Sequence, residues 1–311
     1  MKVLVTGGNG FLGSSVVRGL AAAGHDVVSA DLRAPELGVH GATHVIADVT
    51  SRDNVFTTVE QTQPEVVVHL AAIVTPGRKS NREQEYAVDV EGSRNVFDAC
   101  VAHGVRRVVV SSSGAAYGYH PDNPAWITED QPVRGNEEFA YSHHKRLVEG
   151  MLATLRTEHP ELQQVVLRIG TILGERVDNQ ITALFQRPRL LKIKGSESPF
   201  VFIWDTDVVA IMERAVTGEA TGIFNVAGDG ALTVDEIARR LGKPVLTVPE
   251  PLLRAGLAVG KRLGLTVYGP EQTRFLQHRP VLANDRLKDV FGYVPSKTSA
   301  EAFDAWRAAH A

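Results

Sequence analysis

The sequence predicts an α/β fold in which helices cover both faces of a doubly wound parallel sheet. Short apolar strands alternate with helical segments through the first half of the chain, as in repeated β-α-β units. A glycine-rich turn separates the first strand from the first helix. Asp31 and Asp48 end the next two predicted strands, and ligands bind such sheets beyond the carboxyl ends of their strands.

The first strand, Lys2–Thr6, is followed by the spacing Gly7-x-x-Gly10-x-x-Gly13 and then by apolar residues at helical intervals up to Gly24. Glycine permits a tight turn and lets the main chain approach a pyrophosphate. The free N–H groups at the helix start then face the phosphates. The pattern predicts a dinucleotide-binding turn of the Rossmann type, and an ordinary strand-to-helix turn is the alternative.

The second and third strands, 25–31 and 44–48, end in Asp31 and Asp48. An acidic residue at the second position accepts hydrogen bonds from the adenosine ribose and repels a 2′-phosphate, which favours NAD over NADP. Arg33 stands two residues on and could contact that phosphate, so NADP is the alternative. Both aspartates could also be ordinary residues of strand-end turns.

The fourth strand, 65–70, is followed by a predicted long helix over 83–103 with Tyr86, Val90 and Cys100 facing inward. The fifth strand, 105–113, runs into a serine-rich end. Carboxyl ends of parallel strands share one edge of the sheet, so these strand ends are expected beside the glycine turn.

Tyr141 and Lys145 stand at i and i+4 in a helical stretch over 139–156 and therefore project from one face. A phenol, with a pKa of about 10, is a poor acid or base at neutral pH, and a neighbouring ammonium or a positive nicotinamide ring lowers that pKa. Ser113 can then hydrogen-bond the substrate oxygen while Tyr141 moves its proton. A simple pair on the helix surface is the alternative.

Composition narrows the classes of function. The net charge of −3 does not indicate a basic surface that would bind nucleic acid or a membrane. Cys100 is the single cysteine, so an internal disulfide and a thiolate metal cluster are not expected. Asp205 and Asp207 are predicted to be helix caps, and no metal is expected. With no targeting signal or long apolar run, a cytoplasmic protein that binds no membrane is expected.

Several segments resemble the extended short-chain dehydrogenases/reductases of the NAD-dependent epimerase/dehydratase family over roughly residues 1 to 230. They are TGGNGFLG at 6–13, HLAA at 69–72, SSSGAAYG at 111–118, YSHHK at 141–145, LRIGTILG at 167–174 and FNVAG at 224–228. The resemblance implies that Ser113 is the catalytic hydroxyl, Tyr141 the acid/base and Lys145 the residue that holds the nicotinamide ribose. The implied NAD contacts are Gly7, Gly10, Phe11, Leu12, Gly13, Asp31, Arg33, Asp48, Val49, Leu70, Ala71, Ala72, Tyr141 and Lys145.

Three positions depart from the family pattern. Asp89 and Thr171 each stand where the family usually has asparagine, and Trp204 stands in place of histidine. Thr171, Trp204 and Arg274 are predicted to contact the substrate. Arg274 belongs to a basic cluster with His278 and Arg279 that is either solvated surface or a pocket for an anion.

The expected organisation is a dinucleotide-binding domain over 1–170, completed by about 200–228, and a smaller, mostly helical substrate-binding region over 171–199 and 229–311. The resemblance implies hydride transfer at a secondary alcohol or ketone carbon of a small molecule, first of all in a sugar-nucleotide epimerase or dehydratase. A net dehydrogenase or reductase on a non-nucleotide substrate, similar to the hydroxysteroid and dihydroflavonol branch, is the alternative. A non-catalytic dinucleotide sensor is a third possibility. The family also implies a homodimer through helices 83–103 and 139–156.

Overall fold

A computed structural model describes residues 1–35, 37–74, 81–266 and 268–310. The strands are β1 Lys2–Thr6, β2 Asp26–Asp31, β3 Ala42–Ile46, β4 Val66–His69, β5 Arg107–Ser113, β6 Gln163–Ile169, β7 Thr171–Leu173, β8 Leu190–Ile193, β9 Phe202–Trp204, β10 Gly222–Val226 and β11 Val245–Val248. The helices are α1 Phe11–Ala22, α2 Arg52–Thr62, α3 Arg82–Tyr86, α4 Gly92–Ala102, α5 Ala140–Glu158, α6 Gln180–Phe185, α7 Asp205–Thr217, α8 Val234–Leu241, α9 Glu250–Arg262, α10 Gln272–Gln277, α11 Asp285–Asp289 and α12 Ser299–Ala309.

Within the described ranges, seven strands form one sheet in the order β10-β6-β5-β4-β1-β2-β3. Every neighbouring pair in this sheet is parallel, and Val3 of β1 pairs with Val27 on one side and Val66 on the other. The strand order reverses between β1 and β4, which creates a crevice at their carboxyl ends. The predicted doubly wound parallel sheet is confirmed.

The central strand explains why the sheet is covered on both faces. Val3 and Val5 pack into an apolar layer formed with α1 and α7, whereas Leu4 packs into the opposite layer formed with α2, α4 and α5. Successive residues of a strand point to opposite faces, so a strand buried on both faces needs a continuous apolar run. The sequence of β1 supplies that run.

The C-terminal region combines helices with short strands. The strand β8 pairs with β11, and β7 pairs with β9, both in parallel. Their core is a cluster of aromatic side chains from three segments of the chain. It contains Phe185, Phe200, Phe202, Phe303 and Trp306.

The predicted helix over 83–103 is interrupted. The helix α3 passes into a π-helical turn over Ala87–Glu91 before α4 begins at Gly92. A π turn inserts one residue and rotates the faces before and after it. The inward orientation predicted for Tyr86 is therefore wrong, and its side chain is 40% exposed.

The helix α9 projects from the surface. The sequence predicts that Leu252, Leu253, Leu257 and Val259 form one stripe that serves as a lid or packs in the core. Core packing is wrong for Leu252 and Val259, whose side chains are 66% and 58% exposed. No residue of α9 is buried. Among the helices described, none combines the length and apolar character needed to cross a bilayer.

Candidate active site

The glycine turn has a shape that only glycine permits. Gly7 has φ +69°, and a Cβ placed on it would lie 2.7 Å from the amide nitrogen of Ala71. A Cβ on Gly13 would collide with the carbonyl oxygen of Gly7. Gly10 precedes α1 without a side-chain cap, so the first N–H groups of the helix have no acceptor within it. The turn therefore fits a diphosphate at a helix N-terminus.

Asp31 lies directly beside this turn. Its Oδ2 accepts a hydrogen bond from the Asn9 amide at 2.9 Å. Arg33 lines the same open groove as Asp31. Contact of either residue with a cofactor stays a prediction. The groove is lined by Gly8, Asn9, Gly10, Ser14, Arg18, Asp31, Arg33, Ala34, Pro35, Leu37, Val39 and His44.

Changing Asp31 to Asn should reduce the preference for NAD over NADP by about tenfold or more, because a hydrogen bond to a charged group contributes about 1.5–3 kcal/mol. The amide oxygen of Asn can still accept from the Asn9 N–H group, so the turn is retained. Titration calorimetry with both dinucleotides measures the ratio. Asp26→Asn, at the exposed start of the same strand, is the control, and an equal ratio in both variants would refute the role of Asp31.

Asp48, Val49 and the segment 70–72 occupy two loops at the same edge, and Phe11 and Leu12 begin α1. Asp48 caps its own turn, since its Oδ1 accepts from the N–H and hydroxyl groups of Thr50 at 2.9 and 2.7 Å. Val49 is buried. The segment 70–72 follows β4 and packs against Gly7, and the Leu70 amide donates to the Thr6 carbonyl at 3.1 Å. Their contacts with a cofactor stay predictions.

The three predicted catalytic side chains converge at the carboxyl end of β5. Ser113 is the last residue of that strand, and its hydroxyl accepts from the Ala115 amide at 3.1 Å. It lies near enough to the side chain of Tyr141 to lower the pKa of that phenol. Lys145 donates to the Ser111 carbonyl at 2.7 Å. Its Nζ lies 5.5 Å from the centre of the Tyr141 ring. The helix α5 thus presents phenol and ammonium together to the end of β5.

Burial dominates the electrostatics of this group. It raises the pKa of Tyr141 to about 12, against the lowering effect of the Ser113 hydrogen bond, and the Asp89 carboxylate raises it further. Burial also lowers the pKa of Lys145, which Asp89 and Glu149 oppose. The phenol is therefore protonated at neutral pH, and its use as a base requires additional positive charge beside it.

An aromatic wall near Tyr141 was not found from the sequence. The ring of Tyr119 lies 4.9 Å from Phe139, which directly precedes α5, and 5.3 Å from Phe275. Arg279 stacks over Phe275 at 4.9 Å and donates to the Ser198 carbonyl at 2.6 Å. Burial lowers the pKa of Arg279 to about 9. The one sequence signal for this wall is the position of Tyr119 directly after Tyr117-Gly118.

The three predicted substrate residues have different surroundings. Thr171 begins β7 just beyond Ile169, which pairs with Ser113, so it lies past the sheet edge where the predicted catalytic side chains meet. Arg274 forms an ion pair with Glu138 at 2.6 Å, close to the start of α5. Trp204 packs in the C-terminal aromatic core, with the Lys297 ammonium 5.4 Å from its ring centre. Contact of each with a substrate stays a prediction.

The predicted capping role of Asp205 and Asp207 is wrong, because α7 begins at Asp205 itself and its N-cap residue is Trp204. Asp207 is buried and accepts from the Tyr293 hydroxyl at 2.8 Å and from Ser296. The described part of the chain contains no group of three or more histidine, cysteine or acidic side chains arranged for a metal ion.

Comparison with known proteins places this arrangement in a family. The sequence profile of the NAD dependent epimerase/dehydratase family matches residues 3–227. The chain is 30% identical over 326 residues to a UDP-glucose 4-epimerase of Mycolicibacterium smegmatis, covering 97% of this chain and 96% of that protein. It is 29% identical over 311 residues to a 3-diazoavenalumate denitrifying reductase of Streptomyces, covering 96% and 97%.

Among solved structures, a UDP-glucose 4-epimerase of Thermus thermophilus in complex with NAD has the same fold, with a TM-score of 0.74. It is 24% identical, and the match covers 99% of each chain. The family profile extends over most of the chain and includes the glycine turn and α5. The protein therefore belongs to the NAD-dependent epimerase/dehydratase family.

Proposed function

We propose that this protein is an NAD-dependent enzyme that moves a hydride between a secondary alcohol or ketone carbon and the nicotinamide, and that its substrate is a nucleotide sugar. NAD, when bound, accepts or returns the hydride. The glycine turn and Asp31 would hold the diphosphate and the adenosine ribose. The observation that carries the proposal is the convergence of Ser113, Tyr141 and Lys145 at one sheet edge beside that turn.

Each catalytic side chain has a distinct task in the proposal. Tyr141 takes the hydroxyl proton as the alcohol carbon loses its hydride, and it returns the proton when the ketone is reduced. Ser113 donates a hydrogen bond to the same substrate oxygen. Lys145, held by the Ser111 carbonyl, fixes the ribose and supplies positive charge near the phenol.

A nucleotide-sugar substrate is supported by the relatives named above and by Arg279. Epimerisation or dehydration removes a hydride and later returns it to the same substrate. Arg279 stacks on Phe275 of the aromatic wall and carries donors that suit an anionic group. The homodimer expected from the family would pair α4 and α5 of two copies, and we retain it as part of the proposal.

A net reductase is the second candidate. Tyr119, Phe139 and Phe275 form an apolar wall that suits a non-nucleotide substrate. Trp204 and Thr171 replace the family's usual polar residues, and the reductase of Streptomyces is about as similar to this chain as the epimerase is.

Incubation with UDP-glucose and UDP-galactose under NAD should distinguish the candidates. We expect the two UDP-hexoses to interconvert, which chromatography detects. The bulk NADH absorbance should not change, because the hydride returns to the same molecule. A panel of UDP-linked hexoses and uronic acids extends the test.

Stoichiometric consumption of NADH with non-nucleotide ketones, without conversion of any UDP-sugar, would instead support the net reductase. Tight binding of NAD without turnover on either panel would contradict both candidates and favour the dinucleotide sensor.

A further inference from the structure

Asp89 and His144 are two buried polar side chains that the proposed reaction does not use. The Nδ1 of His144 lies 2.9 Å from Oδ2 of Asp89, and both side chains are almost completely buried. Asp89 belongs to the π turn between α3 and α4, and His144 directly precedes Lys145 on α5. A buried carboxylate is costly unless it is paired, so this contact is a specific feature of the site.

The same carboxylate also holds a second element. Its other oxygen, Oδ1, accepts a hydrogen bond from the Ile73 amide at 2.7 Å. Ile73 follows the segment 70–72, which packs against Gly7 of the glycine turn. Asp89 therefore connects the loop after β4 with the helix that carries Tyr141 and Lys145. These are two of the surfaces expected to flank the nicotinamide.

The charge of Asp89 reaches the groups of the proposed reaction. It raises the pKa of Tyr141, which burial also raises. It raises the pKa of Lys145 as well, where burial has the opposite effect. The other groups that face these two come from several elements. The phenol of Tyr141 is faced by Ser113 on β5 and by Tyr119. The ammonium of Lys145 is faced by the Ser111 carbonyl, by Glu149 on α5 and by His69 on β4.

We propose that Asp89 is a positioning residue: paired with His144, its carboxylate fixes the catalytic helix against the loop after β4 and holds a negative charge behind Tyr141 and Lys145. This inference rests on the proposed hydride-transfer function. Hydrogen bonding to the carboxylate keeps the proton of His144 on Nδ1. An asparagine, the family's usual residue here, would preserve the shape of the contact with Ile73 and remove the charge.

The variant Asp89→Asn tests the charge directly. The ionisation of Tyr141 is followed by tyrosinate absorbance, and subtraction of the same titration in Tyr141→Phe isolates it from the other tyrosines. Removal of the negative charge should move the midpoint of this difference titration down by about one pH unit. Asp98→Asn is the matched control, since Asp98 on α4 pairs with Arg52 at the surface and does not face Tyr141.

A midpoint in Asp89→Asn equal to that in Asp98→Asn would overturn the proposal. Exposure of the phenol would also lower its pKa, so near-ultraviolet circular dichroism of Asp89→Asn must match that of the unaltered protein. The titration is run with and without NAD. Failure to bind NAD contradicts the proposed function, whereas an unmoved midpoint contradicts the role of Asp89, so the two failures are distinguishable.

A second measurement covers the case in which Asp89→Asn does not fold. In the unaltered protein, proton NMR should show a downfield imidazole N–H resonance from the His144 bond to Asp89. The resonance should vanish in His144→Gln and persist when the neighbouring, more exposed His143 is changed to Gln. A spectrum of the unaltered protein without a resonance that depends on His144 would overturn the proposal.

Discussion

Replacing Tyr141 by Phe should lower kcat by about 10²- to 10⁴-fold, the usual contribution of a positioned acid or base. The phenyl ring keeps its place near the Lys145 ammonium, so NAD affinity should be nearly unchanged. Turnover on the substrate found by the UDP-sugar test and calorimetric NAD binding measure the two effects.

The pH dependence of the same reaction supplies a further readout. Burial raises the pKa of Tyr141, so the phenolate that accepts a proton is scarce at neutral pH. It becomes more abundant as the pH rises, and alcohol oxidation should therefore accelerate with increasing pH. Tyr141→Phe should lose this rise. Tyr268→Phe, an exposed tyrosine outside the site, serves as the control and should retain it. A Tyr141→Phe enzyme with the wild-type rate and pH profile would refute the assigned mechanism.

Replacing Glu149 by Ala should lower the free energy of unfolding by about 3–5 kcal/mol, since it leaves a buried guanidinium without its partner. Arg168 lies 2.6 Å from Glu149, and both side chains are about 5% exposed or less. The Ser112 hydroxyl also donates to Glu149 at 2.5 Å, which joins α5 to the end of β5. Chemical denaturation monitored by circular dichroism measures the loss.

Glu158→Ala, at the exposed end of the same helix, is the control for this prediction and should change stability by no more than about 0.5 kcal/mol. Adding Arg168→Leu to Glu149→Ala should recover part of the stability, because the unpaired charge is then gone. Equal stabilities of Glu149→Ala and Glu158→Ala would show that the ion pair does not hold α5.

The parallel sheet, and the edge of it where ligands are expected to bind, could be predicted because both depend on local sequence patterns. The segment Val3–Val5 of β1 is apolar at every position since both faces are covered, and the glycines of the following turn are imposed by contacts with Ala71 and with Gly7 itself. The i, i+4 spacing of Tyr141 and Lys145 fixes their common face on any helix. These features need no knowledge of distant parts of the chain.

Features that depend on tertiary contacts could not be predicted. The π turn at 87–91 leaves no periodic signal, and it rotates Tyr86 outward while bringing Asp89 under α5. The partner of Asp89 lies 55 residues away in sequence. Trp204 was predicted to contact the substrate from its place in a motif, whereas its packing is set by side chains of the C-terminal helices that no local pattern reveals.

The most direct test of the account is a crystal structure of the protein with NAD. We expect the diphosphate against Gly7, Gly10 and the start of α1, and the nicotinamide ring beside Tyr141 and Lys145, with one ring face open to a substrate. A dinucleotide bound away from the glycine turn, or a nicotinamide ring out of reach of Tyr141, would contradict it.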